Sequence, residues 1–254
     1  MTTRARLRRF VCALAIVGGT TAALAALAGV ASPDNDPDAL FREREDLGRA
    51  AMAADIWETR LAANPRDYDT ACKLSRARHW IGERLSRDRA PHFKAGMAAA
   101  RRAIAIEPRR ADGYFWLGAN MGSHATSAGI FAALRYRGAI REAFETSIAL
   151  NPTFNRGTAF CLLGKYYEAV PTLFGGSKKK SEAMLRRCLA SDPESIPGHY
   201  YLAETLLAVN RPAEARAELL AVAAASIDPD YAPEARVWKR KAARRLLALD
   251  RAKE

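Results

Sequence analysis

Apolar residues recur at three- and four-residue steps along most of this chain, with polar and charged residues between them. That spacing gathers the apolar side chains on one face of an α-helix. Ile140, Phe144, Ile148 and Leu150 form one such stripe, and Met184, Leu185, Cys188 and Leu189 another. An alanine-rich stretch ends in Ala103, Ile104, Ala105 and Ile106, and Pro212 opens a further one containing Ala215, Leu219 and Leu220. Proline suits the first helical turn, where its missing N–H is no loss. No stretch sustains a period of two, so the pattern predicts an all-α protein without strands.

The stripes repeat. Each ends in an acid or Asn followed by proline: Asn64-Pro65, Glu107-Pro108, Asn151-Pro152, Asp192-Pro193 and Asp228-Pro229. The prolines are spaced 43, 44, 41 and 36 residues apart. A proline just past an apolar-periodic stretch stops a helix, so these dipeptides mark repeat ends. Inside each unit stands a large, an aliphatic and a tiny residue: Trp80-Ile81-Gly82, Trp116-Leu117-Gly118, Leu162-Leu163-Gly164 and Tyr201-Leu202-Ala203. Glycine inside a helix costs up to about 1 kcal/mol, so it needs a packing reason, and close approach of a second antiparallel helix supplies one. The stretch from Gly118 to Pro152 is the longest. Its Ser123 to Gly129 portion reads as a small-residue hinge, followed by an apolar patch at Ile130, Phe131 and Leu134. Exposed, that patch suits a partner or an apolar ligand; buried, it thickens the repeat.

Composition narrows the class. The chain has 254 residues, 49% hydrophobic and 27% charged, a globular balance with ample length for a core. Its net charge is +12. Arg4, Arg6, Arg8 and Arg9 supply part of this, and +8 remains beyond residue 31. The balance favours acidic partners or an anionic surface, or it solvates helix faces. The arginines precede an uncharged apolar run at 10–31 and then a polar, turn-prone linker at 32–37. This is the layout of a secretory signal, and the run is also long enough for an uncleaved membrane anchor. Both place the remaining chain outside the cytoplasm. Of four cysteines, Cys12 would leave with a signal. Cys72, Cys161 and Cys188 are an odd set that cannot all pair internally. They read as small buried hydrophobes, with a Cys161–Cys188 bridge open in an oxidising compartment.

The units resemble tetratricopeptide repeats (TPR), helix–turn–helix pairs that stack into an α-solenoid. The last is nearest the standard pattern, with Leu202, Ala203, Ala215 and Leu219 at the expected offsets. The repeat domain would span 38–229 in about four units, and the basic segment 230–254 would form a capping helix. A more specific resemblance rests on Leu74-Ser75-Arg76-Ala77-Arg78-His79-Trp80-Ile81-Gly82-Glu83, Tyr114-Phe115-Trp116-Leu117-Gly118-Ala119-Asn120, Leu163-Gly164-Lys165-Tyr166-Tyr167 and His199-Tyr200-Tyr201-Leu202-Ala203-Glu204. Together these are similar to the T component of tripartite ATP-independent periplasmic (TRAP) transporters and to TPR-like regulators of microtubule dynamics. The resemblance implies a periplasmic, non-catalytic helical scaffold that partners a solute-binding protein and is capable of homo-oligomer formation. The family's lipoproteins carry an anchoring cysteine, and none is placed for that role here. A membrane-tethered envelope scaffold and a small apolar-ligand binder are the alternatives.

Catalytic chemistry is not signalled. His79, His92, His124 and His199 are far apart, and no His-x-x-x-His, Cys-x-x-Cys or Gly-x-Ser-x-Gly occurs. Gly157 and Gly164-Lys165 lack the Ser or Thr of a P-loop. No cofactor, metal or nucleic acid is expected, and membrane contact is expected only through residues 10–31. In TPR folds the first helix of each unit lines the concave groove. Carried over by offset, that face is His79, Glu83, Phe115, Ala119, Cys161, Lys165, Tyr200 and Glu204, with Asn120 and Tyr167 as additions. Trp80 and Trp116 share one repeat position and read as packing residues or as a pocket wall. Gly175, Gly176 and Ser177 precede three lysines. They read as a tight turn capped by Ser177, or as an anion-holding loop.

Overall fold

The computed structural model describes residues 36–251. The run at 10–31, expected to be a signal or anchor, lies outside them. Eleven α-helices and no strands occur among the described residues. A short α1 (Pro37–Arg42) and α2 (Leu47–Ala63) lead into four pairs. These are α3 (Tyr68–Arg84) with α4 (Arg89–Ile106), α5 (Ala111–Ala128) with α6 (Ile130–Leu150), α7 (Thr158–Ala169) with α8 (Lys178–Ser191), and α9 (Ile196–Leu207) with α10 (Pro212–Ala224). A final helix, α11 (Ala232–Arg251), follows. Each helix packs chiefly on its sequence neighbours, as a solenoid requires.

The local signals act where the sequence put them. Asn64, Glu107, Asn151 and Asp192 are the residues that end α2, α4, α6 and α8, each directly before its proline. The fifth proline behaves differently. Helix α10 stops at Ala224, and Pro229 opens a short 3-10 turn, Pro229–Tyr231, that launches α11. Helix starts are capped by Asp46, Asp67, Ser177 and Ser195, whose side chains accept backbone N–H groups of the first turn.

The glycine of each of the first three units marks close helix contact. A Cβ at Gly82 would stand 2.6 Å from the Phe93 ring of α4, one at Gly118 2.8 Å from Phe144 of α6, and one at Gly164 2.6 Å from Leu185 of α8. The large residue of the second helix thus fills the notch left by the missing side chain of the first.

The segment that reads as a small-residue hinge is helical instead. Helix α5 runs through Ser123 to Ala128, and only Gly129, at φ +88°, breaks it from α6. The hydroxyls of Thr126 and Ser127 donate to the carbonyls of Gly122 and His124, which ties these residues into the preceding turn.

Cys161 of α7 and Cys188 of α8 form a disulfide with a Cα–Cα distance of 5.4 Å. Both are fully buried, so they serve as core residues and as a bridge at once. Cys72 is free and buried, and burial raises its thiol pKa to about 12.

The two ends of the solenoid meet. Arg44, between α1 and α2, is 2% exposed. Its Nε donates to Glu234 Oε1 at 3.0 Å and its Nη2 to the Asp230 carbonyl at 2.6 Å. Nearby, Arg236 Nε donates to Glu45 Oε1 at 2.9 Å. Helix α11 therefore packs on α9 and α10 and also reaches the N-terminal repeat, closing the superhelix around a central space.

Candidate functional site

That space is a cavity of about 500 Å³, within the range typical of small-molecule sites. Its wall is built mainly from the first helix of each pair. On α3, Arg76, Trp80 and Glu83 follow one another by four and three residues and so form a single stripe, joined by His79 and Arg84. Phe115, Trp116, Ala119 and Ser123 come from α5, Leu162, Lys165 and Tyr166 from α7, and Tyr201 from α9. Helix α11 closes the wall with Glu234, Trp238 and Lys241. Between α6 and α7, Asn155 and Arg156 both lie in the left-handed region, at φ 47° and 55°. Such residues each cost roughly 1–2 kcal/mol. The turn is held by the Tyr231 hydroxyl donating to Asn155 Oδ1 at 2.8 Å and by Arg156 pairing with Asp192 at 2.7 Å.

The polar groups inside are mutually tuned. His79 Nε2 lies 3.1 Å from Ser123 Oγ, bridging α3 and α5. Burial pushes the His79 pKa down against the pull of Glu83. Burial alone would raise Glu83, but His79, the Ser123 hydroxyl, Lys165 and Arg89 hold it below the ordinary carboxylate value. Lys165 is raised, chiefly by Tyr201 and against burial, and stays charged. Lys241 is lowered by burial and by repulsion from Lys165.

Five residues expected on the groove face this chamber: His79, Glu83, Phe115, Ala119 and Lys165. Asn120 does not. It is 0% exposed, and its Nδ2 donates to Ser75 Oγ at 3.1 Å and to the Trp116 carbonyl at 2.9 Å. One residue past Ala119 on a helix is a turn of about 100°, which carries the amide off the chamber face and into the α3–α4–α5 packing. Tyr167, two residues past Lys165, points away for the same reason. Its hydroxyl donates to Glu145 Oε1 at 3.3 Å between α7 and α6. Cys161 is taken by the disulfide. Tyr200 and Glu204 are overlaid by α11. The Tyr200 ring centroid is 5.1 Å from that of Trp238, and Glu204 accepts from Arg245 Nε at 2.7 Å and Nη2 at 2.8 Å. With Lys241 and Arg244 they border a separate shallow groove.

In the Gly175-Gly176-Ser177 loop the backbone N–H groups are already engaged. Gly175 donates to Thr172, Gly176 to Pro171 and Ser177 to Tyr167. A Cβ at Gly176 would fall 1.6 Å from the Val170 carbonyl oxygen, and Ser177 Oγ accepts from Lys180 N. The loop is a capped tight turn that leaves these donors no anion to hold.

Sequence reasoning missed Arg76, Arg84, Tyr201, Trp238 and Lys241. The α3 residues were reachable, because they continue the stripe of Trp80 and Glu83. Nothing local signals the α11 residues, which reach the chamber only through closure of the superhelix. Among the described residues no group of His, Cys, Asp and Glu is arranged to hold a metal ion. No described helix is long and apolar enough to cross a membrane.

Paired helices with a notch glycine, stacked into a curved array around a chamber, define a TPR-type α-solenoid. The chain belongs to the TRAP transporter T-component family, whose family model matches residues 58–253. Among solved structures it is similar to TTC0263, a thermophilic TPR protein of Thermus thermophilus, at 21% identity and a TM-score of 0.62. That match covers 82% of this chain and 98% of the other. It is also similar to PilW, a widely conserved type IV pilus biogenesis factor, at 18% identity and a TM-score of 0.52, covering 85% and 92% respectively. At these identities the two structures speak for the fold. No curated protein matches the chain in sequence.

Proposed function

We propose that the protein is an extracytoplasmic, non-catalytic scaffold that docks a solute-binding protein of a TRAP transport system. It works in the periplasm, released or held at the inner membrane by residues 10–31. Membership of the T-component family supports the transport setting. The buried Cys161–Cys188 bridge supports an oxidising compartment.

The observation that carries the docking role is a pair of large apolar side chains left in solvent beside the chamber, Phe131 at 86% and Leu173 at 87% exposure. Phe131 precedes Leu134 by one helical turn, and Leu173 follows Pro171 by two residues; Leu134 and Pro171 line the chamber. Arg137 of the same rim lies 5.7 Å from the Phe174 ring centroid. Aromatic and aliphatic anchors at the lip of a concave surface suit a protein partner.

The test is a crosslinked affinity purification from the producing cell, read by mass spectrometry. A solute-binding protein recovered with TRAP membrane subunits supports the reading, and Phe131→Asp with Leu173→Asp then weakens capture at least tenfold. Recovery of unrelated envelope proteins without a solute-binding protein overturns it.

A further inference from the structure

The charges inside the chamber do not balance. Arg76 is paired with Glu234 at 3.8 Å, Arg89 with Glu83 at 3.4 Å and Arg156 with Asp192 at 2.7 Å. Arg137, at the rim, donates to the Leu134 carbonyl at 2.6 Å. Three cations remain, Arg84, Lys165 and Lys241, and none has an ion-pair partner among the described residues. Each rests on an aromatic ring instead. Arg84 lies 3.5 Å from the Trp80 centroid, Lys165 5.0 Å from that of Tyr201, and Lys241 4.2 Å from that of Trp238. These three sites come from α3, α7 with α9, and α11, and they converge on one cavity only because the superhelix closes.

Cations gathered in a walled space without counter-ions raise its energy, because desolvation is not repaid by pairing. Ring faces repay part of it, about 0.5–2 kcal/mol each. Mutual repulsion persists, and Lys165 and Arg84 both help to hold the Lys241 pKa down, after burial. Of the acids, Glu83 does most to raise the Lys165 pKa, and it also pairs with Arg89 at 3.4 Å. Over the whole lining, seven side chains are Arg or Lys and five are Asp or Glu, so the chamber holds an excess of positive charge. The α5–α6 side of the same cavity is apolar, with Phe115, Ile140 and Phe144. A bare inorganic anion would leave that wall wet.

We propose that the chamber is a binding site for an amphiphilic anion, with its acidic head among Lys165, Lys241 and Arg84 and its apolar body along the α5–α6 wall. The head is a carboxylate or a phosphate ester, as in a fatty acid or a lysophospholipid. This goes beyond the docking role and does not depend on it. A protein that captured its partner and bound no amphiphile would overturn this inference alone.

The experiment is a titration of the full chain with four probes below their micelle concentrations: decanoate, decyl phosphate, decanol and acetate. Isothermal calorimetry gives affinity. Tryptophan fluorescence gives location, because Trp80, Trp116 and Trp238 line the cavity whereas Trp57 is in the N-terminal core. Decanoate or decyl phosphate is expected to bind at least tenfold more tightly than decanol, with acetate weaker still; whichever of the two is tighter assigns the head. Lys165→Met and Lys241→Met are expected to lower anion affinity at least tenfold each and leave decanol unchanged. Arg84→Gln provides a third test should either lysine variant lose its helical circular dichroism. Equal binding of decanol and decanoate, equal binding of acetate, no binding of either amphiphilic anion, or folded variants with unchanged anion affinity would each overturn the proposal.

Discussion

Arg44 and Glu234 stand 190 residues apart in sequence and meet in a two-point ion pair, Nε to Oε1 at 3.0 Å and Nη2 to Oε2 at 2.5 Å. The guanidinium also donates to the carbonyls of Phe41 and Asp230 and sits 5.0 Å from the Phe41 ring centroid and 5.3 Å from that of Trp80. Trp80 in turn donates its indole N–H to the Arg44 carbonyl at 2.7 Å. A single buried side chain thus joins the first repeat, the chamber wall and the last helix.

Removing that side chain should open the closure. Arg44→Met leaves two carbonyls without their donor and Glu234 with Arg76 alone, and breaking a buried pair from one side costs about 3–5 kcal/mol. For a domain of this size that lowers Tm by roughly 6–20 °C. Thermal circular dichroism reads the loss, and small-angle scattering should show a larger radius of gyration. Arg236→Ala, which removes the exposed neighbour pair with Glu45, should leave Tm unchanged.

The notch glycines make a sharper test of the repeat packing. Gly164→Ala gains helix propensity of up to about 1 kcal/mol, but its Cβ would stand 2.6 Å from Leu185 Cγ and 3.2 Å from the Ser181 carbonyl. Overpacking of this kind costs about 1–3 kcal/mol, so the variant should be net destabilised. Gly138→Ala lies on an exposed helical surface with no atom near its Cβ, and it should gain stability by up to about 1 kcal/mol. Opposite signs in urea melts are the expected outcome; equal signs would reject the notch argument.

How far the sequence could be read follows from which contacts are local. Proline after Asn64, Glu107, Asn151 and Asp192 acts within one helix end, so the repeat pitch was visible. The offset that points to His79, Glu83, Phe115, Ala119 and Lys165 uses only helix periodicity, and those five face the chamber. Tyr200 and Glu204 share the offset but are covered by Trp238 and Arg245, because α11 folds over the last pair. Trp238 and Lys241 enter the chamber through the same fold-back. Superhelical curvature is a sum of small rotations over all the repeats, and no residue spacing encodes it. The Ser123 to Ser127 segment misleads because the Thr126 and Ser127 hydroxyls bond back into their own helix and Ser123 bonds across to His79, choices composition does not reveal.

The disulfide should contribute substantially. Cys161 and Cys188 are separated by 27 residues, and a loop of that length gives about 3.5 kcal/mol in the chain-entropy account. Reduction under partly denaturing conditions, or the double variant Cys161→Ala with Cys188→Ala, should lower Tm by roughly 7–14 °C. Cys72→Ala should not abolish this sensitivity to reductant. A melt indifferent to reductant, with the bridge confirmed by mass spectrometry before treatment, would contradict the expectation.

His199 gives stability a pH dependence of defined sign. Its Nδ1 lies 2.5 Å from Glu218 Oε2 and its Nε2 2.9 Å from the Pro193 carbonyl, so both nitrogens donate when the ring is protonated. Burial lowers its pKa, but the Glu218 and Pro193 bonds outweigh burial and raise it above the ordinary 6.5. A group with a raised folded pKa stabilises fully below its unfolded pKa and loses that contribution as pH rises through the folded value. His79, His92 and His124 are lowered chiefly by burial and act oppositely, losing stability as pH falls below 6.5. The informative quantity is therefore the Tm of the parent minus that of His199→Gln, measured at each pH. That difference should be largest at the acid end and shrink as pH rises from about 6.5 through the raised pKa. A difference that is flat, or that grows with pH, would show that the His199–Glu218 pair does not hold its proton in the folded protein.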